Sequence, residues 1–212
     1  MGVQGDSPSV VVQGIGQVGA EVARRLTSYG FTVRAISDTE GGVYNKKGID
    51  IEGLIDYRRR TGKLKGYPQT DFVTNDELLE LPCDILAPCA VSKVIRKDNA
   101  DKLRCRFVVE GANAPSTPEA DDILEGRGIT VLPDILANGA GVTVGYFEWV
   151  QGLMRLFWTE KEVYTRLEEL VLKAFELVFA QADKHRCSIR EAAMRVAVGR
   201  VIEARRLRGL NP

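Results

Sequence analysis

The sequence predicts an α/β fold, a doubly wound and mostly parallel sheet with helices on both faces, followed by a C-terminal helical extension. Three observations carry this expectation. Short apolar runs alternate with stretches of helical periodicity as far as Val131. The first run, Val10-Val11-Val12-Gln13, ends in Gly14-Ile15-Gly16-Gln17-Val18-Gly19, and helical spacing of Ala20, Val22, Ala23 and Leu26 begins at once. A second apolar run, Phe31 to Ile36, closes on Asp38, 24 positions after Gly14. Strand, glycine-x-glycine-x-x-glycine turn, helix, strand and acid, in that order, make up a dinucleotide-binding βαβ unit of the Rossmann type.

The three glycines have separate tasks. Gly14 turns the chain sharply off the strand, Gly16 lets the backbone approach a pyrophosphate, and Gly19 lets the helix pack closely on the sheet. The helix N-terminus adds free N–H groups and a partial positive charge.

Composition narrows the class. The chain has 212 residues, 44% of them hydrophobic, enough for one large domain or a domain with an appendage. Lys plus Arg equals Asp plus Glu at 29 each, which argues against nucleic acid or a membrane surface as a general partner. Residues 151–212 carry 12 Lys/Arg against 8 Asp/Glu, and the arginines gather at the end of the last helix, where the macrodipole favours them. Cys83, Cys89, Cys105 and Cys187 form no C-x-x-C pair, and His185 is the single histidine, so no metal site is expected and the thiols read as reduced. No apolar run has the length of a membrane span and no signal peptide is visible, so the expected compartment is the cytoplasm. Met1-Gly2-Val3 leads almost directly into the first strand, the pattern of a domain cut from something longer.

Further along, residues 39–48 hold three glycines, an asparagine and two lysines and read as a turn-rich loop. Ile49 to Arg60 has helical spacing and ends at Thr61-Gly62. A short strand is expected around Phe72-Val73. Thr74 and Glu77 form a capping box for a short helix. Ile85 to Ala87 is a strand whose carboxyl end brings Pro88, Cys89 and Ala90 to the cleft edge, because ligands of open parallel sheets sit there. Residues 91–103 contain a helical segment. Arg106 to Val109 is the next strand and delivers Asn113 to the same edge, where its amide can both donate and accept. Thr117-Pro118 starts a helix, and Gly128 to Val131 is a strand. Asn138 stands at the mouth of the cleft before a glycine-rich helix start, as a ligand contact or as a simple cap. The tail is helical: Tyr146 to Phe157, a long helix capped by Thr159 and Glu162, and a last one capped by Ser188 and Glu191. The division expected is a dinucleotide-binding core, 1–145, and its helical extension, 146–212.

The blocks VVVQGIGQVG, ISDTEGGVYNKKGID, LPCDILAPCA, VVEGANAPSTPEAD and LPDILANGAGVTVGYFEWVQ, with the arginine-rich end, resemble the nucleotide-binding domain of the glutamate/leucine/phenylalanine/valine dehydrogenases, nearest to the glutamate dehydrogenase branch. They span nearly the whole chain in order. The resemblance implies that Gly14, Gly16 and Gly19 carry the pyrophosphate turn, with Gln17 and Val18 beside it. Gln17 stands where the family usually has Asn. Asp38 is placed near the adenosine ribose, Cys89, Ala90 and Asn113 along the dinucleotide, and Asn138 at the nicotinamide end. Gly145 falls at a substrate position where glutamate enzymes commonly carry serine, so glutamate as substrate stays open against a regulatory paralogue or a branched-chain or aromatic amino-acid dehydrogenase. The family's catalytic lysine and aspartate lie on an N-terminal substrate domain that no stretch here matches, so no catalytic residue is assigned. The chain alone is expected to bind coenzyme without turnover. The full enzyme is expected to interconvert an L-amino acid and its 2-oxo acid with release or uptake of ammonia, as a homo-oligomer, by family precedent a hexamer. Asp38 favours NAD through a 2′-hydroxyl, while Lys46 and Lys47 in the following loop keep NADP open.

Overall fold

The computed structural model describes residues 7–209. Met1-Gly2-Val3 lies outside the described residues. The chain forms two compact units, 1–131 and 132–212. The expected division after residue 145 falls inside a helix, Ala140–Met154, of the second unit.

The first unit is built on a seven-stranded sheet in the order β4-β3-β2-β1-β5-β6-β7. The strands are β1 Ser9–Gln13, β2 Thr32–Ser37, β3 Gly42–Tyr44, β4 Asp71–Val73, β5 Ile85–Pro88, β6 Phe107–Val109 and β7 Thr130–Leu132. Pairings β1–β2, β1–β5 and β5–β6 are parallel, while β2–β3 and β3–β4 are antiparallel. The chain therefore reverses direction across the sheet on either side of β1, which opens a crevice at the carboxyl ends there. Val10, Val11 and Val12 are fully buried, as a central parallel strand with both faces covered requires. One face packs Val10, Val12, Ile36 and Ala87 with α1 (Gln17–Ser28) and α2 (Ile51–Thr61), contributing Ala23 and Leu54. The other packs Val11, Ala35, Leu86 and Val108 with α3 (Asn75–Leu79) and α4 (Pro118–Gly126), contributing Leu78 and Leu124.

Several local expectations change. The stretch 39–48 contains β3, which pairs back along β2 through Ser37↔Gly42 and Ala35↔Tyr44. Over 91–103 the only helical piece is a 3₁₀ turn, Ala100–Lys102. Asn99 explains this: its Oδ1 accepts from the Arg96 N–H at 2.7 Å and its Nδ2 donates to the Val94 carbonyl at 2.8 Å, offering local partners in place of helical ones.

At the amino edge, Asp84 ties β1 to β5. Its Oδ2 accepts from the Ser9 N–H and the Ser9 hydroxyl, each at 2.8 Å. These bonds, chiefly, hold its carboxyl below the usual range. A depressed folded-state value stabilises the fold above the unfolded carboxyl's pKa of about 3.9, and that contribution is lost as pH falls through the folded value. The side chain is 39% exposed, so solvent screening reduces the gain. Asp84→Asn is expected to lower Tm at pH 7, with the gap to the parent closing below about pH 4. A gap that is constant from pH 7 to pH 3 refutes the assignment.

In the second unit, α5 (Asp134–Ala137) precedes α6 (Ala140–Met154), α7 (Glu160–His185) and α8 (Ile189–Leu207). Helix α6 starts six residues before the expected Tyr146 and ends three before Phe157. Thr159 and Glu162 close the predicted capping box on α7, and Ser188 accepts from the Glu191 N–H to cap α8. Leu136, Val178, Ala182, Ala192 and Ala193 form this unit's core. Among the described residues no helix is long and apolar enough to cross a membrane.

Candidate functional site

The glycine turn lies where β1 ends. Gly14 has φ +100°, a conformation that disfavours any side chain, and a Cβ there would stand 2.7 Å from the Cβ of Ala90. Its N–H donates to Ser37 Oγ at 3.2 Å, so the last residue of β2, itself fully buried, holds the turn. At Gly19 a Cβ would fall on the Gly14 carbonyl oxygen and press Cys89 Cβ at 3.3 Å. Gly16 is different: a Cβ there meets nothing. Gly16, Gln17 and Val18 are exposed at the start of α1. The cap residue Gly16 makes no side-chain hydrogen bond, and the first turn carries no acid. The first turn of α1 is thus exposed and free of a competing carboxylate, as an anion cradle requires.

Cys89 and Ala90 follow β5 and close one side of this turn. Cys89 is only 8% exposed, and a Cβ on Gly111 would meet its sulfur at 2.6 Å, so the thiol is wedged between α1 and the loop after β6. Burial pushes its pKa up to about 12, which suits a packing role. Asn113 lies exposed on that loop. Its neighbour Ala114 has φ +46°, a left-handed backbone unusual for alanine. The Lys93 N–H, donating to the Ala114 carbonyl at 2.9 Å, keeps it there.

Asp38 sits just past β2. Its Oδ1 accepts from the Glu40 N–H at 2.9 Å, and Asn75 Nδ2 donates to its carbonyl at 3.0 Å. Arg58 Nε of α2 stands 3.9 Å from its Oδ2. A cavity of about 370 Å³ beside this pair is lined by Ile15, Ala20, Ile55, Arg58, Arg59 and Gly62. Lys46 and Lys47, which kept NADP open as a loop able to fold back onto a phosphate, are carried the other way. β3 carries the chain antiparallel to β2, so that the Asn45 N–H donates to the Arg34 carbonyl and the Ile49 N–H to that of Val33. Both lysines are thereby delivered towards the amino end of β2, away from Asp38. The first unit brings Gly14, Gly16, Gln17, Val18, Gly19, Cys89, Ala90, Asp38 and Asn113 to the carboxyl ends of its parallel strands. Sequence patterns did not reveal Ser37, Asn75, Arg58 or the strained Ala114, since none belongs to a spaced motif.

In the second unit, Asn138 follows α5 as its C-cap, half-buried, and the N-cap of α6 is Gly139. Asn138 is therefore not the simple N-cap. Gly145 is exposed within α6, and a side chain there would meet nothing. Val142, Tyr146, Trp149 and Leu153 are exposed on the same helix at spacings that put them on one face.

The family model for Glutamate/Leucine/Phenylalanine/Valine dehydrogenase matches residues 3–209. The chain belongs to that family. A glutamate dehydrogenase of Thermotoga maritima is 45% identical over 213 residues, covering 100% of this chain and 51% of the relative. The hetero-hexameric glutamate dehydrogenase of Thermus thermophilus, in a leucine-bound form, superimposes with a TM-score of 0.90 at 36% identity, covering 97% of this chain and 49% of that one. The Peptoniphilus asaccharolyticus glutamate dehydrogenase gives 0.81 at 33% identity, covering 97% and 48%. The chain thus spans about half the length of the family members it matches. An L-tryptophan dehydrogenase of Nostoc punctiforme, at 22% identity and a TM-score of 0.70, shares the fold.

Proposed function

We propose that this chain is the coenzyme-binding half of an NAD(P)-dependent glutamate dehydrogenase. The observation that carries the proposal is the uncapped, acid-free start of α1 over open space at Gly16, with Asp38 at the end of the neighbouring strand. These residues fit a dinucleotide. Gly14, Gly16, Gln17, Val18 and Gly19 hold its pyrophosphate on the first-turn N–H groups, and Asp38 accepts from the adenosine ribose. Cys89, Ala90 and Asn113 line its path. In the second unit, Asn138 is assigned to the coenzyme and Gly145 to the substrate on the family resemblance alone. The bound nicotinamide supplies the hydride chemistry, and this chain's residues bind and orient it. The functional division after residue 145, the cytoplasmic location and a homo-oligomeric, hexameric full enzyme belong to the same proposal.

Oxidative deamination of L-glutamate to 2-oxoglutarate and ammonia needs an N-terminal substrate domain supplying the lysine and aspartate. The doubled length of the relatives and the exposed apolar face of α6 support such a partner. The chain alone is expected to bind coenzyme and turn nothing over.

Asp38 favours a 2′-hydroxyl, so NAD is the expected coenzyme. Arg58 beside it is the cation available to a 2′-phosphate, in place of Lys46 and Lys47. Calorimetric titration of the chain with NAD and with NADP tests this. NAD is expected to bind more tightly, and Asp38→Ser to shift the ratio towards NADP by about tenfold, on the order of 1.4 kcal/mol. Heat from neither coenzyme, with the chain shown folded, overturns the proposal.

A second reading rests on Gly145. Nothing packs where its side chain would be, so no steric demand explains glycine in place of serine in mid-helix. The Thermus thermophilus relative is hetero-hexameric, so that assembly contains unlike subunits. A regulatory subunit that binds nucleotide without catalysis fits both facts. Steady-state rates of the full protein on glutamate separate the two, and turnover excludes the regulatory reading.

A further inference from the structure

We propose that Cys83 and Cys105 form a dithiol site, at the end of the sheet opposite the candidate coenzyme cleft, that closes to a disulfide on oxidation by a hydroperoxide. The observation is one of adjacency. β5 and β6 are adjacent and parallel, with Ile85 opposite Phe107 and Leu86 opposite Val108. Cys83 and Cys105 lie just before the two strands, beyond bends at Asp84 and Arg106. The two segments stay side by side there, since the Cys83 N–H donates to the Arg104 carbonyl at 3.1 Å. Neighbouring strands run about 4.8 Å apart, within the span of about 4.4–6.8 Å that Cα atoms of a disulfide occupy. Both side chains pack on the same core cluster, so they share one face of the sheet. Both thiols are free, and both residues are partly exposed.

The surroundings are those of a pair. Arg34 acts on Cys83 and Arg127 on Cys105, each favouring the thiolate. Arg127 is held in place by its bonds to the Ala100 and Leu103 carbonyls at 2.6 and 2.7 Å. Burial outweighs the arginines and pushes Cys83 up to about 12 and Cys105 up to about 11, with Cys105 and Asp84 adding to the rise at Cys83. The site is therefore quiet at neutral pH and reacts faster as pH rises.

The chemistry balances. One thiolate attacks a peroxide oxygen, the O–O bond breaks, and sulfenic acid and hydroxide form. The second thiolate attacks the sulfenic sulfur, the S–S bond forms, and the S–O bond breaks with loss of hydroxide. Two thiols lose two electrons and two protons, and hydrogen peroxide is reduced to two waters.

The test is peroxide treatment of the purified chain from pH 7 to pH 9, followed by alkylation of remaining thiols, digestion and mass spectrometry. A single peptide pair joining Cys83 to Cys105, lighter by two hydrogens, is expected, forming about tenfold faster per pH unit. Cys83→Ser should abolish the pair and divert Cys105 to sulfinic and sulfonic acids. Independent over-oxidation of Cys83 and Cys105 in the parent chain overturns the proposal, as does a link from either to Cys89 or Cys187.

Discussion

Gly16→Val is expected to reduce dinucleotide affinity at least about a hundredfold, roughly 3 kcal/mol, while leaving the melting temperature of the chain unchanged. The two halves of this expectation have different grounds. A Cβ at Gly16 meets no protein atom, and the residue's backbone is extended at φ −73°, ψ −169°, which valine adopts without strain. Nothing in the fold resists the branched side chain. It would occupy the space over the first-turn N–H groups instead, where a pyrophosphate must lie to use them. Calorimetry with NAD, paired with a thermal melt, reads both quantities. Unchanged affinity would mean that the phosphates lie elsewhere, and a lost fold would mean that Gly16 is packed against the rest of the unit.

Those same few residues show how much the sequence could disclose. The glycine turn, α1 and Asp38 were legible because each is a local pattern: an apolar run, fixed spacings and an acid at the right distance. β3 was not, because Gly41, Gly42, Asn45 and two lysines carry every signal of a loop. Three residues become a strand there only through pairing with β2 and β4 on either side. The position of Lys46 and Lys47 followed from that omission. Without β3 they stand eight and nine residues beyond Asp38 in an unplaced loop, and with it they are carried to the opposite end of β2. Arg58 takes the place next to Asp38 from a helix twenty residues away, a contact that only tertiary packing creates. The amino end of α6 was hidden for a related reason. Gly139, Gly141 and Gly145 lower intrinsic helix propensity, so the stretch reads as a glycine-rich helix start with the helix itself expected only from Tyr146, although it runs from Ala140. Gly145 is the residue that the resemblance assigns to substrate, and Asn138, which it assigns to coenzyme, stands just before this stretch, so propensity and proposed function pull apart here.

Gly19→Ala should do the reverse of Gly16→Val, attacking the fold first. Gly19 is buried three residues into α1, and its missing Cβ would coincide with the Gly14 carbonyl oxygen. That oxygen belongs to backbone and cannot swing aside like the tip of a flexible side chain. Gly14 is itself held by the hydrogen bond from its N–H to Ser37 Oγ and by contact with Ala90. Retreat of α1 in the other direction would open the packing of Ala23 against Val10 and Val12. Either movement forfeits close-packed contacts, so a cost of about 3 kcal/mol or more is expected, near the upper end for adding one methyl group. For a chain of this size that lowers Tm by roughly 10 °C. Differential scanning calorimetry of the variant measures it directly. Coenzyme affinity should fall as well, because the first-turn N–H groups move with the helix. A melt within a degree or so of the parent would show that the turn from β1 into α1 is looser than the clash between Gly19 and Gly14 requires.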